Sequence, residues 1–457
     1  MIVECLQRYA IEKPAETFLA DDSATLSFRD AEQQARQLAG VLCRDGEIVD
    51  GSAVYLYARD SARLVVALLA TQYCGARVCV LNRGFDADDL HRLTLRLQPG
   101  PLITDALNVT GWPEKVLNLN DLKAHVGVLP AVADPAAGGI VILTTGTTGV
   151  PKAVFYGWER LLAQVRLASS PQSRRWALLY PLNHFAGLQV LLHATKNGLS
   201  LVIPKTRQFS DVLDCLIRCE VDSVSATPTF WRMFTGQLNT AAASQVKLRQ
   251  ITLGGEPVTA DILGRLRELF PEARVTQVFA TTEIGSCFAV SDGLPGFPAE
   301  FVEAPIGNVQ LMIHEGQLYV RTTLGMIGYV DGSPSPEGKE GWMATGDIVE
   351  VRGRRVHFLG RKGEVINVGG VKVYPPKVED QIRGVRGVRD VRVYGKINPI
   401  TGQIVAADIE LSGHVVSEVV LAEVRQVCRA TLSRYEQPRE LRVVAELRRS
   451  NEKLLRR

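Results

Sequence analysis

Strand patterns alternate with helical patterns through the first two thirds of the chain, and this alternation limits its fold more than any other feature. An amphipathic helical pattern covers residues 26–42, with Ser27 as its N-cap. A strand pattern at 53–57, a helical pattern at 62–72 and a second strand pattern at 76–81 follow. Because parallel strands need a long crossover connection, usually a helix, the alternation predicts βαβ units and a largely parallel sheet.

The pattern changes near Pro305. Short strands separated by glycine-rich turns begin there, and such a pattern is typical of antiparallel pairing. After Arg361 come about a hundred residues of mixed strand and helix patterns, enough for a small separate domain. We therefore predict an α/β fold with a large N-terminal domain, residues 1–361, of layered βαβ sheets plus a small antiparallel subdomain. Residues 362–457 are predicted to form a small mobile α+β domain.

The composition excludes several classes of protein. The 457 residues are 46% hydrophobic, and 52 basic against 49 acidic residues leave a net charge of only +3, which gives no sign of nucleic-acid or membrane partners. Eight cysteines are scattered without a CxxC pair or a zinc spacing and indicate reduced thiols. No secretory pattern begins the sequence, and no apolar run approaches the roughly twenty residues of a membrane helix. A cytoplasmic enzyme is expected.

A loop rich in threonine and glycine follows the strand pattern at 140–142. It reads LTTGTTGVPK from Leu143 to Lys152. Glycines leave backbone N–H groups accessible, hydroxyls donate to phosphate oxygens, and the lysine balances their charge. The spacing differs from the common nucleotide-triphosphatase loop, in which serine or threonine follows Gly-Lys. The residues alone fit either a polyphosphate-binding loop or an ordinary surface turn.

The order of residues in this loop resembles the signature of the adenylate-forming superfamily, which includes acyl-CoA synthetases, luciferases and the adenylation domains of peptide synthetases. Thr145 stands where the family has serine, and Ala153 stands where glycine is usual. The resemblance implies that ATP phosphates are bound by Thr144, Thr145, Gly146, Thr147, Thr148 and Lys152.

Two later segments, each at the end of a strand pattern, resemble the family segments around the adenine. The first is LGGEP at 253–257, and by resemblance Gly255 and Glu256 flank the base while Gly254 also borders the acid pocket. Without a Cβ, glycine lets a flat base approach the backbone, although two glycines alone also fit a turn.

The second segment, FATTE at 279–283, is similar to the family's aromatic-Gly-x-Thr-Glu motif, with Ala280 in place of glycine. The resemblance implies that Phe279 stacks on adenine, with Ala280 and Thr281 also in the ATP site. Thr282 would bond the α-phosphate and Glu283 would hold magnesium, whose preferred ligands are oxygens. Taken alone, Thr-Thr-Glu also fits a helix cap.

The segment GWMATGD at 341–347 matches the family segment whose aspartate accepts hydrogen bonds from both ribose hydroxyls. A carboxylate suits two adjacent O–H donors. By itself Asp347 also fits a β-turn. Arg361 follows at the family spacing and resembles the arginine that also contacts the ribose.

The segment PLNHFAG at 181–187 resembles the Pro-Leu-x-His-x-x-Gly segment of acyl- and aryl-CoA synthetases. The resemblance implies that His184 and Phe185 border an apolar acid pocket, although a lone histidine is also a common structural donor. The aspartate that anchors the amino group in amino-acid-activating relatives is not apparent. An aryl or short acyl carboxylate is therefore expected, because burying an unpaired ammonium is costly.

The last residues are similar to the family's closing motif, in which a lysine reaches into the site. By this resemblance Lys453 is the catalytic lysine, although Glu452 replaces a usual glycine, and by composition alone it is a solvated lysine. In the family the small domain rotates between two half-reactions. Gly363 is the implied hinge, and Gly369 and Gly370 would present backbone to a pantetheine arm.

These resemblances cover nearly the whole chain and imply ATP- and magnesium-dependent activation of a small carboxylic acid to acyl-AMP. The acyl group would then pass to CoA or to the phosphopantetheine of an acyl carrier protein. The implied catalytic residues are Lys453, Thr282, Glu283 and His184. Two alternatives are a catalytically degenerate nucleotide-binding relative, suggested by Ala153, Ala280 and Glu452, and a stand-alone amino-acid-activating adenylation enzyme.

Overall fold

The computed structural model describes residues 1–121, 137–144, 151–167, 174–336, 338–413, 415–447, 449–450 and 453–454, the last four by their backbone only. They divide into two compact units. The first comprises residues 1–293 and 322–336, and the second comprises residues 294–321 and 337–457.

The helices and strands have the following bounds. The α-helices are α1 (Ile2–Glu12), α2 (Phe28–Asp45), α3 (Ala62–Tyr73), α4 (Ala87–Thr94), α5 (Trp158–Ala163), α6 (Phe185–Asn197), α7 (Phe209–Arg218), α8 (Pro228–Gln237), α9 (Thr240–Ala243), α10 (Ala260–Leu269), α11 (Glu300–Glu303), α12 (Pro375–Arg383) and α13 (Ser417–Thr431). The strands are β1 (Thr17–Ala20), β2 (Thr25–Ser27), β3 (Ala53–Tyr57), β4 (Arg77–Val80), β5 (Leu102–Thr104), β6 (Val116–Asn118), β7 (Gly139–Thr144), β8 (Lys152–Gly157), β9 (Arg175–Leu178), β10 (Ser200–Val202), β11 (Ser223–Ala226), β12 (Gln250–Gly254), β13 (Arg274–Thr281), β14 (Gly285–Val290), β15 (Phe297–Pro298), β16 (Val309–His314), β17 (Gln317–Thr322), β18 (Gly328–Tyr329), β19 (Met343–Arg352), β20 (Arg355–Arg361), β21 (Ile366–Val368), β22 (Val371–Val373), β23 (Val388–Asn398), β24 (Gly402–Leu411), β25 (Glu440–Val444), β26 (Arg449–Ser450) and β27 (Lys453–Leu454). Short 3-10 helices lie at Lys339–Gly341 and Lys362–Glu364.

Two mainly parallel sheets form the first unit. The eight-stranded sheet has the order β14-β13-β12-β11-β9-β10-β1-β2, with antiparallel strands only at its two edges. The seven-stranded sheet has the order β18-β8-β7-β4-β3-β5-β6, and only the pairings of β8 with β7 and with β18 are antiparallel. The predicted α/β fold with parallel sheets is confirmed.

Local sequence accounts for the helices between these strands. Helix α2 begins at a capping box, in which Ser27 Oγ accepts the Asp30 N–H and Asp30 accepts the Ser27 N–H, both at 3.1 Å. Such a cap stabilises a helix by roughly 1 kcal/mol. Helix α3 is apolar over most of its surface and is buried at Ala62 and from Leu64 to Gln72. Such a helix needs a buried position. Among the described residues, no helix is both long and apolar enough to span a membrane.

The second unit contains two larger sheets and the two-stranded sheet of β26 and β27. One larger sheet is antiparallel, in the order β15-β20-β19-β17-β16, and the other has the order β22-β21-β24-β23 with β25 beside β24. Valine and isoleucine side chains of β23, β24, α12 and α13 form the core of the second sheet. The predicted antiparallel region and α+β region are thus observed. The domain boundary at residues 361 and 362 stays a prediction, since residues 294–321 cluster with the C-terminal region.

His193 on α6 provides a test of this packing through the pH dependence of stability. Its ring lies 5.0 Å from the Trp176 ring, and burial, followed by the charge of Arg174, lowers its pKa from 6.5 to about 4. Between these pH values the unfolded chain binds a proton at this histidine that the folded chain does not, so stability falls as the pH falls. We expect this residue to contribute up to about 1.4 kcal/mol per pH unit to the free energy of unfolding.

The measurement is urea unfolding at several pH values from 4 to 6.5. His193→Asn should reduce the slope of unfolding free energy against pH. His91→Asn, at an exposed position on α4, is the matched control. Equal slopes for wild type and His193→Asn would show that this histidine does not titrate differently on folding.

Candidate nucleotide and acid site

The hairpin of β7 and β8 holds the two ends of the predicted phosphate loop side by side. Thr144 and Lys152 are directly paired in its antiparallel register. Residues 145–150, which include Thr145, Gly146, Thr147 and Thr148, lie outside the described part of the chain. The hairpin therefore places the loop lysine beside the end of the strand that precedes the loop.

Lys152 and Glu283 both contact Tyr329, a residue that the sequence motifs did not indicate. The Lys152 ammonium lies 5.0 Å from the centroid of the Tyr329 ring. The Tyr329 hydroxyl lies 3.5 Å from Glu283 Oε1. Burial raises the pKa of Tyr329, and the charge of Glu283 raises it further, so the hydroxyl stays protonated. It can therefore act as a donor to the carboxylate.

Glu283 lies in the tight turn between β13 and β14, and the surrounding contacts explain the shape of this turn. Its carbonyl accepts hydrogen bonds from the Met326 N–H at 2.9 Å and from the Tyr156 hydroxyl at 3.3 Å. Thr281 Oγ1 accepts the Ile284 N–H at 3.1 Å. No helix starts here, so the cap interpretation of Thr-Thr-Glu does not apply. Thr282 belongs to the same turn.

Gly285 closes the turn in a backbone conformation that residues with side chains rarely adopt. Its φ is +86°, and an added β-carbon would lie 2.5 Å from Gln164 Oε1. The same Gln164 oxygen accepts the Ser286 N–H at 2.8 Å, and its amide nitrogen donates to the Leu324 carbonyl at 2.7 Å. Gln164 thus fixes the turn that presents Glu283.

Phe279 and Ala280 lie on β13 beside the antiparallel edge strand. The Phe279 ring stacks on Phe288 with centroids 5.2 Å apart and an interplanar angle of 20°. The register of the two strands shifts between Phe279 and Ala280, and Ala280 pairs with Ser286. The stacking of Phe279 on adenine stays a prediction.

The two glycines that end β12 differ in their surroundings. The Gly254 carbonyl accepts the Tyr180 hydroxyl at 2.9 Å, and Gly255 has a φ of +84°, which favours glycine. Glu256 Oε2 accepts the backbone N–H of Thr229 at 3.0 Å and its hydroxyl at 2.7 Å. The structure therefore gives Glu256 a role in holding the start of α8. Its role beside adenine stays a prediction.

The PLNHFAG segment forms the entry to α6. His184 is the N-cap residue, and its N–H donates to the Pro181 carbonyl at 3.1 Å. Phe185 is only 6% exposed and packs against Tyr156 with ring centroids 5.9 Å apart. An added β-carbon on Gly187 would lie 2.1 Å from the Pro181 carbonyl oxygen, which explains the glycine of this segment. Phe185 is thus a core residue, and the lining of an acid pocket by His184 and Phe185 stays a prediction.

In the second unit, Asp347 and Arg361 are directly paired across β19 and β20. Arg361 Nε lies 3.1 Å from Asp347 Oδ1, and the Asp347 side chain is 12% exposed whereas that of Arg361 is 50% exposed. A second Arg361 nitrogen donates to the Thr345 carbonyl at 2.6 Å. The two residues that the sequence assigned to the ribose therefore form one ion pair.

The remaining predicted residues also lie in this unit. Gly363 lies in the 3-10 turn Lys362–Glu364 between β20 and β21. Gly369 and Gly370, with φ values of +58° and +85°, form the turn between β21 and β22, where the Gly369 N–H donates to the Thr401 carbonyl at 2.8 Å. The backbone of Lys453 lies in β27, paired with Ser450. The hinge, thiol-arm and catalytic assignments stay predictions.

The donor chemistry of the site fits magnesium bound together with nucleotide. Within the described ranges, no group of three or more His, Cys, Asp or Glu side chains is placed to hold a metal ion. Magnesium commonly takes one or two protein carboxylates and completes its shell with water and substrate phosphates. The carboxylate of Glu283, which shares Tyr329 as a neighbour with Lys152, would match that mode.

The parallel sheets of the first unit and the α+β region of the second match the architecture that the resemblance to adenylate-forming enzymes predicts. This chain belongs to the AMP-binding enzyme family, which matches residues 6–330, and the family of AMP-binding enzyme C-terminal domains matches residues 377–453. The superfamily that the sequence motifs indicated is confirmed.

Several relatives match over nearly their full length. The 2-succinylbenzoate–CoA ligase of Bacillus subtilis (strain 168) is 27% identical over 459 residues, covering 94% of this chain and 90% of that protein. That of Listeria monocytogenes serotype 4b (strain F2365) is 24% identical and covers 97% and 95%.

Two solved structures share the fold. The o-succinylbenzoate CoA synthetase from Bacillus subtilis, in complex with its acyl-adenylate intermediate, has a TM-score of 0.82 at 22% identity and covers 99% of this chain and 96% of its own. The anthranilate CoA ligase AuaEII in complex with anthranoyl-AMP has a TM-score of 0.87 at 19% identity, with coverage of 100% and 95%.

Proposed function

We propose that this protein uses ATP to activate an aryl carboxylic acid as acyl-AMP and then transfers the acyl group to the thiol of coenzyme A. The curated relatives are 2-succinylbenzoate–CoA ligases, which supports both the ligase class and an aryl acid. The observation that best supports the nucleotide chemistry is that Lys152 and Glu283 both contact the side chain of Tyr329. Coenzyme A and ATP are available in the cytoplasm, and a cytoplasmic location is part of the proposal.

The reaction has two steps. In the first, a carboxylate oxygen attacks the α-phosphorus of ATP, the bond from that phosphorus to the bridging oxygen breaks, and pyrophosphate leaves. Both reactants are anions, so the positive charge of Lys152 near the phosphates lowers their repulsion. Magnesium held at Glu283 would supply further positive charge to the phosphate oxygens. In the second step the thiol sulfur attacks the acyl carbon, AMP leaves, and the thiol proton is released.

Two departures from the family motifs do not support the degenerate alternative. Ala153 is fully buried in β8, paired with Leu143, and its methyl group belongs to the hydrophobic core. Ala280 packs against the core of the first unit at the register shift of β13. Both methyl groups therefore have a packing role. Glu452, the third departure, lies outside the described residues.

The amino-acid alternative requires a carboxylate that is available to an ammonium group. Asp60 does contact the PLNHFAG segment, since its Oδ1 accepts the Leu182 N–H at 3.2 Å. However, its other oxygen is paired with Arg207. Because both oxygens of Asp60 are already paired within the protein, Asp60 is a poor candidate for binding a substrate ammonium group.

The test is ATP–pyrophosphate exchange with 2-succinylbenzoate, benzoate, anthranilate, fatty acids and α-amino acids, followed by mass measurement with coenzyme A or a phosphopantetheinylated acyl carrier protein. We expect exchange with an aryl acid and the mass of its CoA thioester. Exchange with α-amino acids alone would support the amino-acid alternative. Binding of ATP without exchange for any acid would support the degenerate alternative. An acyl product found only on the carrier protein would identify that protein, and not coenzyme A, as the acceptor.

A further inference from the structure

We propose that Tyr329 is a positioning residue with two separable effects: its ring orients Lys152 toward phosphate, and its hydroxyl orients the Glu283 carboxylate toward magnesium. This inference rests on the proposed function and adds to it a residue that joins the phosphate loop to the metal carboxylate. Lys152 and Glu283 lie on different strands and loops of the first unit, and Tyr329 contacts both.

The ring contact follows from strand geometry. Tyr329 on β18 is paired with Val154 on β8. Side chains two residues apart on a strand point to the same face, so Lys152 lies on the face that Tyr329 occupies. The ammonium is 5.0 Å from the ring centroid, within the roughly 6 Å over which a cation is attracted to an aromatic face. The ring therefore limits the positions available to the lysine.

The hydroxyl contact involves the carboxylate itself. Tyr329 Oη lies 3.5 Å from Glu283 Oε1, at the long end of hydrogen-bonding distance. Groups that hydrogen-bond to a metal ligand orient it, and removing them commonly costs about 10–100-fold in metal affinity or activity. The hydroxyl is thus placed to orient one carboxylate oxygen and leave the other for the ion.

Backbone pairing holds Tyr329 in this place. The Ile327 N–H donates to Phe155 at 2.8 Å and the Val330 N–H donates to Ala153 at 2.9 Å. The Met326 N–H donates to the Glu283 carbonyl at 2.9 Å, so the turn between β13 and β14 is bonded to the same segment. The segment from Met326 to Val330 therefore fixes the tyrosine relative to both partners.

A neighbouring ion pair connects the segment that carries Tyr329 to the end of the predicted phosphate loop. Asp331 is paired with Arg96 at 2.7 Å, and a second nitrogen of Arg96 donates to the Pro151 carbonyl at 3.2 Å. The residue just before Lys152 is therefore also held through this segment. Tyr329 lies between two fixed points and does not depend on its ring for its backbone position.

Three variants separate the two effects. Tyr329→Phe keeps the ring and removes the hydroxyl, whereas Tyr329→Leu removes both. Tyr55→Phe is the matched control, because it removes a hydroxyl that donates to the Gln98 carbonyl at 2.6 Å and not to any group of Glu283. The measurement is equilibrium binding of ATP by calorimetry, without magnesium and across a magnesium titration, with the thermal unfolding midpoint as a check on folding.

For Tyr329→Phe we expect unchanged ATP affinity without magnesium and about a tenfold higher magnesium concentration for half-maximal enhancement of binding. For Tyr329→Leu we expect the same magnesium effect and an additional loss of about two- to fivefold in ATP affinity without magnesium. Tyr55→Phe should change neither quantity by more than about twofold.

Two results would overturn the proposal. One is a magnesium titration of Tyr329→Phe that matches wild type. The other is a loss of magnesium-free ATP affinity in Tyr329→Phe as large as that in Tyr329→Leu. If Tyr329→Leu does not fold, Lys152→Met takes its place for the ring effect. Because binding needs no carboxylic acid, a wild type that binds ATP but exchanges no pyrophosphate would contradict the proposed function and leave this comparison valid.

Discussion

Lys453→Ala is expected to reduce formation of acyl-AMP by about 10²–10³-fold while leaving transfer from supplied acyl-AMP to coenzyme A close to the wild-type rate. The reason is that only the first half-reaction brings two anions together, so only that step needs the extra positive charge. ATP–pyrophosphate exchange measures the first half-reaction. Thioester formation from synthetic acyl-AMP, prepared with the acid that supports exchange, measures the second.

Two controls define this result. Lys453→Arg keeps the positive charge and should retain more exchange activity than alanine. Lys396→Ala removes an exposed lysine of the second unit that is paired with Glu440 at 2.7 Å, and it should leave both half-reactions unchanged. Equal losses in both half-reactions for Lys453→Ala would mean that the closing motif was misassigned or that the variant is misfolded.

The architecture of the chain could be predicted because it depends on local patterns. The N-cap residue Ser27 and the alternation of strand and helix patterns predicted α2, β3, α3 and β4 with small errors at their ends. One such error is at α2, which starts at Phe28 because the residues just before it form the edge strand β2. An apolar face forms when apolar residues recur at helical or strand spacing within a short stretch of sequence. The spacing alone is therefore sufficient to predict these elements.

The contacts that shape the site were only partly predictable. Motif order predicts Glu283 and Lys152 as site residues, and this assignment stays a prediction. Tyr329 lies in a two-residue strand and Gln164 at the end of a short helix, and neither position has a distinctive local pattern. The contacts of Gln164 join residues 122 and 160 positions apart in sequence, and Tyr329 and Glu283 are 46 positions apart. Such contacts depend on tertiary packing, which no local pattern of residues specifies.

Phe185 shows what a motif leaves open. Its place in the PLNHFAG segment predicts a residue that borders the acid pocket, and the structure adds that most of its ring is buried against Tyr156 in the core. A motif fixes the order of residues, but the side of the helix that each side chain occupies depends on packing. The glycine of the same motif has a packing explanation too, since Gly187 approaches Pro181 too closely for a side chain.

Asp347→Ala is expected to weaken ATP binding at least about 100-fold, because it removes charge-assisted hydrogen bonds to two ribose hydroxyls, each worth roughly 1.5–3 kcal/mol. Asp347→Asn keeps one acceptor oxygen and the size of the side chain, so we expect a smaller loss, about tenfold. Arg361 would lose its ionic partner in either variant but would keep its bond to the Thr345 carbonyl. Thermal unfolding of both variants checks that the β19–β20 pair stays intact.

Comparison of ATP with 2′-deoxy-ATP decides whether this loss occurs at the ribose. Wild type should bind the deoxy nucleotide more weakly, because it lacks one of the two hydroxyl donors. In Asp347→Ala the acceptor is gone, so the two nucleotides should bind with nearly equal affinity. A variant that still prefers ATP as strongly as wild type does would place the carboxylate away from the 2′-hydroxyl. The effect of the substitution would then come from the lost ion pair with Arg361, whose Nε lies 3.1 Å from the carboxylate.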